Sequence, residues 1–300
     1  MADASFVVLD DRGILAVSGP DRRPFLQGLV SNDIDKITPT VARYAAFLNA
    51  QGRYLHDFIM IEAGESILLD TESARLGDLR RRLSVYRLRA KVSLDERSNL
   101  SVAAIFGADA LAALRLPGEP GAVRPFGSGI VLVDPRLPAL GARGILPREE
   151  ARKLLVKAGI AEAGFDSYDR LRLSFGIPDG SRDLLPEKSL LLESGFDELN
   201  GVDWQKGCYI GQELTARTKY RGLVKKRLMP VQIEGPTPVA GAIVTADGRE
   251  VGEMRSSREG LGLALLRIEP VRDGNPLTAG EATVTPLRPA WMYLDRFSGE

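Results

Sequence analysis

The stretch Lys206-Gly207-Cys208-Tyr209-Ile210-Gly211-Gln212-Glu213 contains the only cysteine of the 300-residue chain, and the rest of the sequence is read outward from it. It lies between the turn signal Asn200-Gly201 and a helical stretch over 212–219, which predicts a glycine-flanked loop just ahead of a helix start. Unpaired N–H groups and the dipole at such a start favour an anion, and Lys206 adds a positive charge two residues away. Both effects lower a thiol's pKa, so a reactive Cys208 thiolate is physically reasonable. Gly207 and Gly211 relieve the backbone on each side and allow close approach of a ligand or partner. The competing reading is a small buried hydrophobe, the usual fate of a free cysteine.

Upstream, an apolar run over 14–17 predicts a strand. A helix follows, entered through Ser18-Gly19-Pro20-Asp21, with Phe25, Leu26, Leu29 and Val30 on one face and Asn32 and Asp33 at its stop. Short apolar runs over 44–48, 54–61 and 67–69 read as an antiparallel meander. Leu76, Leu79 and Leu83 define a helix, and strands are predicted around 92–94 and 102–106. Residues 116–129, rich in proline and glycine, read as a loop before a strand over 130–133. Pro147 is expected to open a helix over 148–158, and Asp166 or Ser167 to cap another that Gly176 and Pro178 end. Residues 179–186 read as polar loop. Beyond Lys225 only short alternating runs remain, as over 229–233, 242–244 and 261–266, which predicts a small β-barrel or sandwich. The fold class is α+β followed by β, divided into residues 1–225 and 226–300.

Composition narrows function. Hydrophobic residues make up 44% of the chain, enough for a sizeable core, and 40 basic residues balance 40 acidic ones. No overall field draws the chain to nucleic acid or an anionic membrane, and no apolar run is long enough to span a bilayer. The start lacks a secretory signal's pattern, so the cytoplasm is the expected compartment. One cysteine excludes an internal disulfide or a cysteine-rich zinc site, and the single His56 argues against a transition-metal site. A monomer is expected.

The octapeptide, followed by Ala216-Arg217 and Arg221-Gly222, resembles the signature of the YgfZ-type folate-binding proteins, relatives of the aminomethyltransferase of the glycine cleavage system. The resemblance extends to Phe25-Leu26-Gln27-Gly28-Leu29 with Ser31-Asn32-Asp33, to Gln51-Gly52-Arg53 through Asp57-Phe58, and to Gly176-Ile177-Pro178. It implies two interleaved α+β units around a central folate pocket, with a C-terminal β-barrel. It also implies tetrahydrofolate as cofactor, and iron–sulfur cluster assembly proteins or client enzymes as partners. The enzyme alternative is one-carbon transfer between an amine and tetrahydrofolate, for which the thiol is not needed.

Resemblance places Asp57 where the transferases carry a carboxylate beside the reacting folate nitrogen, against the plain reading of a solvated strand end. Ser174 stands where many relatives have a pterin-gripping glutamate; it offers only an uncharged contact, with Glu193 as a substitute. Tyr209, Gln212, Arg217 and Arg221 complete the expected folate contacts around the pocket mouth, although Trp204 and Tyr209 are more readily read as core or rim packing than as a pterin stack. Arg75, Arg82 and Arg89 share a flank of the second helix and suit a polyglutamate tail, or simply a solvated face. His56 as a base for Cys208 has no spacing to support it.

Overall fold

Strands in the first half of the chain are near-continuous apolar runs because they are buried on both faces, not one. The computed structural model describes residues 3–222 and 224–293. Two compact units result: Met1–Leu48, Leu55–Tyr168 and Leu199–Ile210 form the first, and Asn49–Tyr54, Asp169–Glu198 and Gly211–Glu300 the second.

The strands of the first region are β1 (Ser5–Leu9), β2 (Arg12–Ser18), β3 (Arg43–Leu48), β4 (Tyr54–Ala63), β5 (Ser66–Glu72), β6 (Ser93–Glu96), β7 (Leu100–Phe106), β8 (Val123–Phe126), β9 (Gly129–Val133), β10 (Ala142–Pro147) and β11 (Ala161–Glu162). One sheet has the order β3-β4-β5-β2-β6 and the other β11-β1-β7-β10-β9-β8. The helix Leu76–Arg87 lays Leu79 and Leu83 against Leu15, Val17, Phe58 and Leu69 of the first sheet. Short helices at Ala110–Ala113 and Ala151–Lys157 cover the second through Ala110 and Leu155, which join Phe6, Ile105 and Val131.

The opposite faces of these sheets share a buried ionic cluster. Arg12 Nε donates to Asp70 at 2.8 Å, and Arg143 lies 3.4 Å from both Asp70 and Asp134. Arg136 pairs with Asp134 at 2.7 Å, and its guanidinium stands 5.7 Å over the Tyr44 ring. Burial raises the Asp134 carboxyl, but Arg136 and Arg143 outweigh it and bring the pKa to about 2. The charges are therefore compensated where bare ions would not be tolerated.

In the second unit, β12 (Lys226–Glu234), β13 (Ile243–Ala246), β14 (Arg249–Arg258), β15 (Leu261–Arg267), β16 (Leu277–Ala279) and β17 (Ala282–Pro286) close into a barrel of order β12-β15-β14-β13-β16-β17. Closure leaves no free strand edge, and Met229, Val231, Met254, Ala264 and Leu266 fill the interior. Asp169 and Asp183 hold Arg172 at 2.6 and 2.7 Å in the same unit.

Several sequence expectations are corrected. Pro147 ends β10 instead of opening a helix, and the helix runs Ala151–Lys157; proline's fixed φ suits a strand end as well as a first helical turn. The loop expected over 116–129 contains β8, paired with β9. A one-turn helix, Gly180–Asp183, interrupts the loop expected over 179–186, and another, Ile268–Arg272, lies among the barrel strands. These turns are too short to show a period.

Candidate functional site

Asn32, read from sequence with Asp33 as a helix stop, and its neighbour Ser31 are the residues that hold the cysteine loop. Ser31 Oγ donates to the carbonyl of Gly201 at 2.6 Å, and the Asp203 N–H returns to the Ser31 carbonyl at 3.0 Å. Asn32 Nδ2 donates to the carbonyls of Tyr44 and Asn200, each at 2.7 Å. Asn200 itself has φ +58, a conformation asparagine tolerates better than most residues.

Lys206 then reaches back to the end of the first helix, Arg22–Gln27. Its Nζ donates to the carbonyls of Gln27, Val30 and Asn32 at 2.9, 2.6 and 2.9 Å. Three ammonium protons thus meet three carbonyls, of which that of Gln27 is one the helix end leaves unsatisfied. Burial lowers the Lys206 pKa to about 8, against Asp33, Asp203 and Asp35, which favour the charge. Its donors are spent on the backbone, so what Lys206 can offer the thiol is its charge and not a hydrogen bond. Tyr209 is buried, with its ring 5.0 Å from that ammonium, and the Ile210 N–H donates to the Gly28 carbonyl at 3.1 Å. Cys208 stands between these fixed points, and it is exposed. The buried-hydrophobe alternative for the thiol is therefore excluded.

The octapeptide is divided between the units, with Lys206–Ile210 in the first and the remainder in the second. Gly211 has φ +81 and directly precedes the helix Gln212–Tyr220. In that same unit the Gln51-Gly52-Arg53 turn packs so closely that a Cβ on Gly52 would lie 2.7 Å from the Gly211 carbonyl oxygen. Gly207 has open space where its side chain would be.

Beside the loop, within the first unit, Asn32, Lys36, Arg43, Asn200, Asp203 and Trp204 line a cleft of about 360 Å³. Burial pushes the Asp203 carboxyl up, but hydrogen bonds from Lys36 and the Gln205 N–H leave it below the usual carboxylate range. Arg43 has no hydrogen-bond or ion-pair partner among the described residues, and its Nε is buried without one. Sequence reading missed Arg43, since a single arginine at a strand start carries no pattern.

The other predicted residues are placed as follows. Asp57 is buried within β4, not at a wet strand end, and accepts from the Tyr44 hydroxyl at 2.9 Å. Burial and the neighbouring carboxylate hold the Tyr44 hydroxyl well above its ordinary pKa, so it remains a donor. Ser174 is exposed and donates to the Leu171 carbonyl of its own helix at 2.7 Å. Glu193 is half-buried, and that burial raises its pKa against Lys226 and Arg53. Gln212 starts its helix, Arg217 pairs with Glu213, and Arg221 is exposed just past the helix end. None of these lines the Trp204 cleft. His56 is buried with Nε2 3.0 Å from Asp78, and burial and Arg75 bring its pKa to about 4, so it is not poised as a base for Cys208. Arg82 and Arg75 also serve Asp78, while Arg89 lies beyond the helix that was to carry it. Among the described residues no group of three or more acidic, histidine or cysteine side chains could hold a metal ion. No described helix is long and apolar enough to cross a membrane.

The mouse protein "Iron-sulfur cluster assembly factor IBA57, mitochondrial" is 37% identical, over 94% of this chain and 84% of its own. Its human counterpart is 36% identical, over 93% and 82%. The chain belongs to the IBA57 family. Residues 225–294 match the CAF17 C-terminal beta-barrel domain. The fold is that of the glycine cleavage system aminomethyltransferase T from Bartonella henselae, with a TM-score of 0.76, 17% identity, and coverage of 97% of this chain and 87% of that one. The expected α+β class with a C-terminal barrel is thereby established. The expected cytoplasmic location is not: these relatives are named mitochondrial. A test for a bilayer span or secretory start says nothing about which organelle holds a folded protein.

Proposed function

We propose that this IBA57-family protein serves iron–sulfur cluster assembly by presenting Cys208 as one thiolate ligand to a cluster whose other ligands come from a partner protein. The observation that carries the reading is an exposed thiol displayed between two anchored residues, Lys206 and Ile210. A protein-held cluster ordinarily needs four protein ligands, and this chain supplies one cysteine, so the cluster is cargo shared with another molecule. Replacement by alanine should abolish activation of iron–sulfur enzymes in cells while the melting temperature stays at the parent value. Full activity of a stable Cys208→Ala protein would sink the proposal. The isolated monomer should be colourless.

We further propose that a tetrahydrofolate occupies the Trp204 cleft. The lining suits it: Trp204 for the pterin, Asn200 and Asp203 for its ring edge, and the Arg43 guanidinium, without a partner among the described residues, for a glutamate carboxylate. The contacts expected at Ser174 give way to these, and Asp57, engaged by Tyr44, is left as a supporting residue. In a titration with tetrahydrofolate, Arg43→Ala should weaken binding by about tenfold or more, and Ser174→Ala should not. Absence of saturable binding under reducing conditions would remove the folate and leave the thiol reading standing.

A further inference from the structure

Beside the Cys208 loop the first unit leaves an apolar surface uncovered. The helix Leu76–Arg87 ends in a turn at Leu88, whose φ is +42 and whose side chain is 88% exposed. Leucine resists that backbone region, and a large apolar side chain offered to water has no compensation within the chain. The turn holding it is fixed: the Ala90 N–H bonds to the Arg87 carbonyl at 2.7 Å, and the Lys91 N–H to Asp21 at 2.7 Å. Tyr86 is fixed as well, its ring edge-on to Phe47 with centroids 6.0 Å apart. Phe25, Leu29, Tyr86 and Leu88 line an open groove of about 470 Å³. Arg87 and Arg89 stand on its rim, exposed and without ion pairs among the described residues. Gly28 forms part of the wall, and its carbonyl accepts the Ile210 N–H, two residues from the thiol.

We propose that the groove between Phe25 and Leu88 docks an acidic protein surface that inserts an apolar side chain, seating a partner beside Cys208. Charge selects the occupant: the rim offers guanidinium groups in search of carboxylates, and the only acid in the wall, Asp21, already accepts the Lys91 N–H. The groove is open to solvent, and the guanidinium groups at its edge beside the fixed Tyr86 ring favour an acidic protein surface that carries an apolar side chain. The proposal rests on the cluster-assembly reading only for what the partner does once seated.

The test is a fluorescence titration of the full chain with an amphipathic peptide bearing leucines on one face and glutamates on the other. A lysine counterpart and anionic lipid vesicles are run beside it. The glutamate peptide should bind saturably and the lysine peptide should not. Leu88→Gly, which suits the positive φ, should keep or raise the melting temperature while weakening peptide binding about tenfold, and Arg87→Glu should weaken it with the fold intact. Cys208→Ser should bind like the parent. No binding by the parent, undiminished binding by Leu88→Gly, equal affinity for the lysine peptide, or binding to vesicles alone would overturn the proposal. Self-association that Leu88→Gly abolishes would make the occupant a second copy and overturn it too. In cells, groove variants that are inactive beside an active Cys208→Ser would retain the groove and remove the thiol reading; the reverse pattern would do the opposite.

Discussion

The barrel keeps Met229, Val231, Met254 and Leu266 wholly or almost wholly out of water, whereas the loop Leu199–Ile210 is held by Ser31, Asn32 and Lys206 and keeps its cysteine in water. Apolar stabilisation is spread over area and has no single weak point. Polar anchoring concentrates in a few bonds, each of which leaves a stranded carbonyl if its donor is lost. An exposed thiol cannot be held by burying it, so the chain fixes its neighbours instead.

The sharpest way to break this comparison is at the barrel. Leu266→Ala should cost about 3 kcal/mol in denaturant unfolding, because a closed barrel collapses poorly around a void. A loss below 1 kcal/mol, as for a surface site, would show that the barrel core is loosely packed.

Next in size is the acid response of His56. Its pKa is lowered to about 4, so the folded state keeps it neutral while the unfolded chain takes a proton below about 6.5. Stability should be constant above that pH and fall between about 6.5 and 4, by up to about 3 kcal/mol. Asp78, at about 2, adds a further loss below its ordinary range. His56→Gln should flatten the upper part of the profile; an unchanged profile would mean that other groups dominate.

Lys206→Met should cost about 2 kcal/mol, since it strands the carbonyls of Gln27, Val30 and Asn32, and should make the loop cleavable by limited proteolysis. If both measurements match the parent, the remaining bonds from Ser31 and Asn32 suffice. Smallest of all is Cys208→Ala, expected within about 0.5 kcal/mol of the parent because the side chain is exposed. A larger loss would show the thiol to be packed and would close the distance between the two regions.

Sequence by itself determined a good deal. The octapeptide marked the candidate site, because glycines, a lysine and a lone cysteine between a turn and a helix form a local pattern. Leu76, Leu79 and Leu83 fixed a helix, and alternating runs after Lys225 indicated the barrel, since periodicity records which face is buried. Tertiary structure decided the partners. Lys206 is 174 to 179 positions from the carbonyls it caps, and no spacing rule reaches that far. The ionic cluster joins Arg12 to Asp70 across 58 positions and Arg143 to Asp70 across 73, so in sequence each is one charged residue among 80. Arg43 stands out by lacking a partner among the described residues, and that is a property of the folded surroundings. Local patterns follow from the chain's own geometry, but a charge acquires a role only when folding decides what stands opposite it.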